Sequence, residues 1–82
     1  MNEKIRQAIR DHGRMPVDID TLSDDADLYQ AGMTSHASVN VMLALEDAFD
    51  IEFPDRMLQR SVFESVSSIA AALTELEAGV AG

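Results

Sequence analysis

The sequence predicts an all-α fold: a four-helix bundle of three main helices and one short helix, with a long first loop. Three observations predict it. Apolar side chains recur at three- and four-residue intervals in three separate stretches, the spacing that gathers them on one side of a helix. No convincing stretch alternates apolar and polar residues with the period of two that a half-buried strand needs. Glycine or proline punctuates the chain between the periodic stretches, at Gly13, Pro16, Gly32 and Pro54.

The first helix can be capped by Asn2, and Ile5, Ala8, Ile9 and His12 form its stripe. Gly13 ends it, with Pro16 shortly beyond. Residues 13–31 are polar and acidic, with Val17, Ile19, Leu22 and Leu28 spaced through them. They read as a loop pinned to the core at intervals. A loop that long is unusual in a small domain and points to function or to a further short helix.

A strong helix pattern runs from about Ser35 to Asp50. Placed on a wheel at about 100° per residue, Val41, Met42, Leu45, Ala48 and Phe49 share the face expected to enter the core. Val39 and Leu43 fall opposite, among His36, Asn40, Glu46, Asp47 and Asp50. An apolar centre with a charged rim has the composition of a docking surface. Isolated surface aliphatics are also common and need no function, and the wheel alone leaves both readings open. Pro54 disfavours helical geometry at Phe53. Residues 55–64 read as a turn and a short helical piece around Ser61–Phe63. Ser65 can cap a last helix that turns Val66, Ile69, Leu73 and Leu76 inward. Residues 1–82 form a single domain on this reading, with a tail expected to fray from residue 78.

Composition narrows the function classes. A chain of 82 residues buries only about 60–65% of its unfolded surface, which leaves little room for a deep catalytic pocket. Six basic and fifteen acidic side chains give a formal charge of −9. Phosphates repel such a surface, so nucleic acid and anionic membranes are poor partners. Proteins with basic docking surfaces suit it, though acidity that merely keeps a small protein soluble fits the composition equally well. The absence of cysteine excludes disulfides, thiolate catalysis and zinc–thiolate sites, so any thioester chemistry needs a thiol from an attached group. No signal peptide or membrane-length apolar run is visible, and the expected setting is the cytoplasm.

Ser35 stands where the second long helix begins, after Gly32-Met33-Thr34. On one reading Ser35 or Thr34 is only an N-cap. On the other, Ser35 carries a phosphodiester, because a helix start with its free N–H groups favours an attached anion. Gly32 would let the backbone bend for a modifying enzyme.

Several spaced elements then agree with one family. Asp27-Leu28, the run Gly32-Met33-Thr34-Ser35-His36-Ala37-Ser38-Val39, and the run Leu45-Glu46-Asp47-Ala48-Phe49-Asp50-Ile51-Glu52-Phe53-Pro54-Asp55 resemble the acyl and peptidyl carrier proteins. Phe63-Glu64-Ser65-Val66 leading to Ile69 resembles that family's entry to its last helix. The resemblance spans about residues 22–76. It implies a four-helix bundle whose Ser35 receives 4′-phosphopantetheine from coenzyme A, through a separate phosphopantetheinyl transferase. The arm's thiol would carry cargo as a thioester. The helix from Ser35 would be the partner-recognition helix, with His36, Val39, Asn40, Leu43, Glu46 and Asp47 meeting a loading ligase and downstream transferases that carry basic docking surfaces. The chain itself would be a monomer and no enzyme. Thr34 and His36 depart from the family's usual Asp and Leu, and Asn40 stands where fatty-acid carriers usually have an acid. This variant resembles standalone carriers loaded with a small amino acid by a synthetase-like amino acid:carrier protein ligase. A carrier for fatty-acyl or polyketide-type synthesis is the alternative, and a long acyl cargo would need a cavity lined by side chains such as Val41, Leu45 and Ile69.

Two further classes compete. A small acidic helical module could bind a basic protein without any prosthetic group. A small enzyme lacks its parts: His12 and His36 lack metal-site spacing, and His36, about 100° around the helix from Ser35, is poorly placed as its base. Asp24, Asp25 and Asp27 do not match a calcium loop.

Overall fold

The computed structural model describes the backbone of residues 2–79 and the side chains of residues 2–77. Helix α1 spans Asn2–His12, α2 Ser35–Phe49, α3 Arg60–Phe63 and α4 Val66–Gly79, with single 3₁₀ turns at Ile19–Thr21 and Asp55–Met57. No strand occurs among the described residues. The four-helix architecture with three main helices and a long first loop is therefore as the sequence predicts. Residues 80–82 of the tail expected to fray lie outside the described residues, as do the side chains of 78 and 79. No helix of the described residues is long and apolar enough to cross a membrane.

The core is aliphatic because the chain supplies few rings. Ile5 and Ile9 of α1, Val41 and Leu45 of α2, and Val66, Ile69 and Leu73 of α4 are all almost completely buried. Each such side chain contributes about 1.5–3 kcal/mol over its exposed state. Phe53 and Phe63 close one end, edge to face with centroids 5.3 Å apart. Helix α1 packs on both α2 and α4, and α3 on α4.

Four expectations are corrected by this packing. Asn2 lies inside the first turn of α1 instead of standing before it, and its amide donates to Asp24 at 3.3 Å. His12 is exposed, because at the end of α1 the facing surface of α2 leaves a groove instead of a packed wall. Ala48 is exposed on that same groove although the wheel puts it with the core. Val17 is also exposed, while Ile19 and Leu28 are buried and Leu22 partly so. The Asp18 carboxylate caps the first 3₁₀ turn by accepting from the Asp20 N–H, which leaves Val17 on the outside before the cap.

The long loop is held by buried Ile19 and Leu28 and also by polar ties. The Arg6 guanidinium donates to the Ile19 carbonyl at 2.7 Å, the Leu22 carbonyl at 3.0 Å and the Asp24 carboxylate at 2.6 Å. The Asp24 carbonyl accepts from the Ser67 N–H, and the Leu28 N–H donates to the Glu64 carbonyl. Asp27 turns its own segment by accepting from the Tyr29 and Gln30 N–H groups. The loop so fastened delivers the chain to the start of α2.

At that point Gly32 has φ +120, and a Cβ there would lie 2.4 Å from Pro16 Cδ. Both the backbone angle and the contact demand glycine. Close packing on Pro16 is thus one reason for glycine at this position.

Candidate functional site

Two hydroxyls compete for one duty at the start of α2, and the structure divides them. Thr34 is the N-cap: its backbone is extended and its Oγ1 accepts from the Ala37 N–H at 3.0 Å. Ser35 is the first helical residue, and its side chain is exposed. The Ser35 carbonyl accepts from the Ser38 hydroxyl at 2.7 Å, which steadies the backbone beneath it. The threonine that departs from the family pattern thus does a job aspartate also does well at an N-cap, and Ser35 is left out of the capping.

The first turn of α2 carries no acidic side chain, although carboxylates are favoured at that end of a helix and this chain has fifteen acids. The positive end of the helix dipole is thus not neutralised by a carboxylate of its own turn. A groove of about 280 Å³ opens beside it. Ser35, Val39 and Met42 of α2 line one side, Leu58, Arg60 and Phe63 another, and Tyr29 comes from the long loop. An exposed hydroxyl, a helix start free of competing anions and an adjoining groove suit a tethered phosphodiester.

The expected docking residues are only partly brought together. Ser35, Val39, Leu43 and Asp47 follow one another at intervals of four along one exposed ridge. His36 is exposed beside Ser35. Val39 and Leu43 are 49% and 53% exposed, so both are surface residues and not hidden under the loop. Asn40 is half-buried toward α1 and shares with Leu43 and Asp47 a second groove of about 600 Å³ between α1 and α2. Glu46 is half-buried and its Oε2 accepts from the Phe53 N–H at 2.7 Å, which gives it a task inside the fold.

Residues missed in the sequence are Leu58, Arg60 and Tyr29, which line the groove beside Ser35. Nothing in their spacing ties them to Ser35; the turn after Pro54 and the start of α3 bring Leu58 and Arg60 there, and the long loop brings Tyr29. Val41, Leu45 and Ile69 are packed to 0–1% exposure and line none of the main grooves of the described residues. No group of three or more His, Cys, Asp or Glu side chains among the described residues is placed to hold a metal. Asp24 is occupied by Arg6 and Asp27 by its own turn.

A family model described as "Phosphopantetheine attachment site" matches residues 3–73. The aminoacyl carrier protein of Agrobacterium fabrum is 51% identical over 69 residues, which cover 84% of this chain and 83% of that one. Among solved structures, the fold matches a chain in the crystal structure of engineered Bradyrhizobium japonicum glycine:carrier protein ligase complexed with carrier protein from Agrobacterium tumefaciens and AMP. That match has a TM-score of 0.88 and 47% identity, over 90% of this chain and 99% of the other. A solution structure from Agrobacterium tumefaciens matches with a TM-score of 0.78 and 46% identity, over 96% of this chain and 95% of the other.

Proposed function

The chain belongs to the phosphopantetheine attachment family, and from that premise we propose that it is an aminoacyl carrier whose prosthetic arm is joined to Ser35. The observation that carries the proposal is the division of labour at the start of α2. Thr34 caps the helix, and Ser35 presents its hydroxyl to solvent at the positive end beside a groove.

A phosphopantetheinyl transferase would join the Ser35 oxygen to the phosphate of coenzyme A, with the adenosine bisphosphate portion leaving and the serine proton going to the transferase. The attached group supplies the thiol that this cysteine-free chain lacks, and a thioester on it holds the cargo. The chain's own part is to keep the attachment point exposed and to present α2. It does not catalyse loading; a ligase does.

A small amino acid is the cargo this reading favours. A relative named aminoacyl carrier protein is half identical, and two of the structural neighbours come from crystals containing glycine:carrier protein ligase. The packing of Val41, Leu45 and Ile69 supports the same choice, because a long acyl chain would have to force apart an interior at crystal-like density. A small polar cargo needs no such space. The partners are then the transferase, an amino acid:carrier protein ligase and downstream transferases. They would meet the ridge of Val39, Leu43 and Asp47, with His36 beside it, through basic surfaces suited to a chain of charge −9. The carrier acts as a monomer in the cytoplasm, where coenzyme A is at hand.

The test has two stages. Co-expression with a transferase should add the mass of one arm, and Ser35→Ala should abolish the addition with helical content unchanged. The modified protein, offered glycine, ATP and a glycine:carrier protein ligase, should then gain one glycyl residue, with AMP and pyrophosphate released. Failure of the first stage removes Ser35 as the attachment point; failure of the second with each of several amino acids and ligases removes the aminoacyl cargo.

A further inference from the structure

Cations are scarce in this chain, and the acids take up most of its arginines. Arg6, Arg10 and Arg56 pair with Asp24, Asp20 and Glu75 at 2.6, 2.8 and 2.8 Å. Arg60 forms no such ion pair among the described residues. Its guanidinium lies instead over the ring of Tyr29, 4.4 Å from the centroid, and both side chains line the groove shared with Ser35. Arg60 is the one charged residue among those lining that groove. The rest of the lining is mainly apolar, with Val39, Met42, Leu58 and Phe63. An exposed guanidinium without an ion pair among the described residues thus shares one mainly apolar groove with the exposed serine.

We propose that Arg60 is the counter-ion of the phosphodiester on Ser35 and holds the first part of the arm in this groove. The inference rests on the reading of Ser35 as the attachment point. A phosphodiester is a permanent anion, and a guanidinium offers it parallel N–H donors in a fixed plane. Contact with the Tyr29 ring holds the guanidinium in the groove beforehand, so less freedom is lost when the anion arrives. Past the phosphate the arm has a carbon bearing two methyl groups, which fits against Val39, Met42 and Leu58. The arm therefore leaves Ser35 in one preferred direction, toward α3, while Leu43 and Asp47 of the α2 ridge stay open to partners.

The experiment uses the modified full chain, isotopically labelled, with an unlabelled arm. Intact mass is recorded first, then nuclear Overhauser effects between the arm's methyl groups and the protein. The modified wild type should show them to Tyr29, Val39 and Leu58, together with a change in the Arg60 Nε–H resonance relative to the unmodified chain. Arg60→Gln should be modified as completely as wild type, yet its arm contacts should weaken about two- to fivefold, the range of a surface ion pair. Arg60→Lys should keep part of them. Salt should weaken the wild-type contacts in the same way without any substitution. Full modification with spectral changes confined to the neighbours of Ser35 overturns the proposal, and so do contacts indifferent to Arg60→Gln and to salt. An unchanged mass removes the reading of Ser35 itself, and the mass spectrum reports that separately.

Discussion

Glu46 and Asp47 are neighbours in sequence and fall together on the polar side of the α2 wheel, yet the structure gives them different work. Glu46 Oε2 accepts from the Phe53 N–H at 2.7 Å, at the point where the chain leaves α2 and turns through Pro54. Phe53 is 4% exposed, so its N–H has little access to water once the carboxylate is gone. A hydrogen bond to a charged group contributes about 1.5–3 kcal/mol, and an orphaned buried donor costs about 1–3 kcal/mol. Glu46→Ala should therefore destabilise the fold by about 2 kcal/mol. In a domain of this size that lowers Tm by about 8–16 °C. Glu46→Gln keeps the shape and an acceptor and should lose about half as much. Asp47 is exposed on the α2 ridge, so Asp47→Ala should change stability by less than about 0.5 kcal/mol. Its effect should fall on the association rate with the ligase and fade with added salt. Urea unfolding followed by circular dichroism, beside ligation rates at two salt concentrations, separates the pair. Equal stabilities for Glu46→Ala and wild type, or a collapse of Asp47→Ala, would refute the assignment.

Three further outcomes follow from the same geometry. Thr34→Ala removes the cap on Ala37 and should cost about 1 kcal/mol, whereas Thr34→Asp should be close to neutral; thermal unfolding checks both, and modification of Ser35 should persist in each. Leu43→Glu should slow ligation at least tenfold while leaving Tm within a few degrees, because Leu43 is 53% exposed; a large fall in Tm would show that the ridge is part of the core. Gly32→Ala forces a side chain onto Pro16 at a positive φ and should cost about 2 kcal/mol or more, measured by urea unfolding, against no change if the loop simply relaxes.

The helices were legible because their burial is periodic. Ile5, Ala8 and Ile9, or Val66, Ile69 and Leu73, announce a buried face by spacing alone, and the structure buries them. Spacing fails at helix ends, where an ideal wheel assumes a neighbour that has already run out. His12 and Ala48 are the two cases, and both line the groove between α1 and α2. Ser35 could be singled out because a hydroxyl at a helix start is a local feature and its surroundings resembled a known pattern. Which hydroxyl does the capping was not legible, since Thr34 and Ser35 are both competent and only geometry chooses between them. The polar fastening of the long loop escaped altogether. Arg6 reaches three groups on segments 13 to 18 residues away, and no local pattern encodes so long a reach. Arg60 and Tyr29 escaped for the same reason: they meet only after α3 has folded back beside α2.

The most direct measurement is fragment-ion mass spectrometry of the protein after incubation with coenzyme A and a phosphopantetheinyl transferase. One added arm is expected, mapped to the first residue of α2 and absent from Ser35→Ala. An arm mapped to Ser38, Ser61 or any other hydroxyl, or none with several transferases, would contradict it.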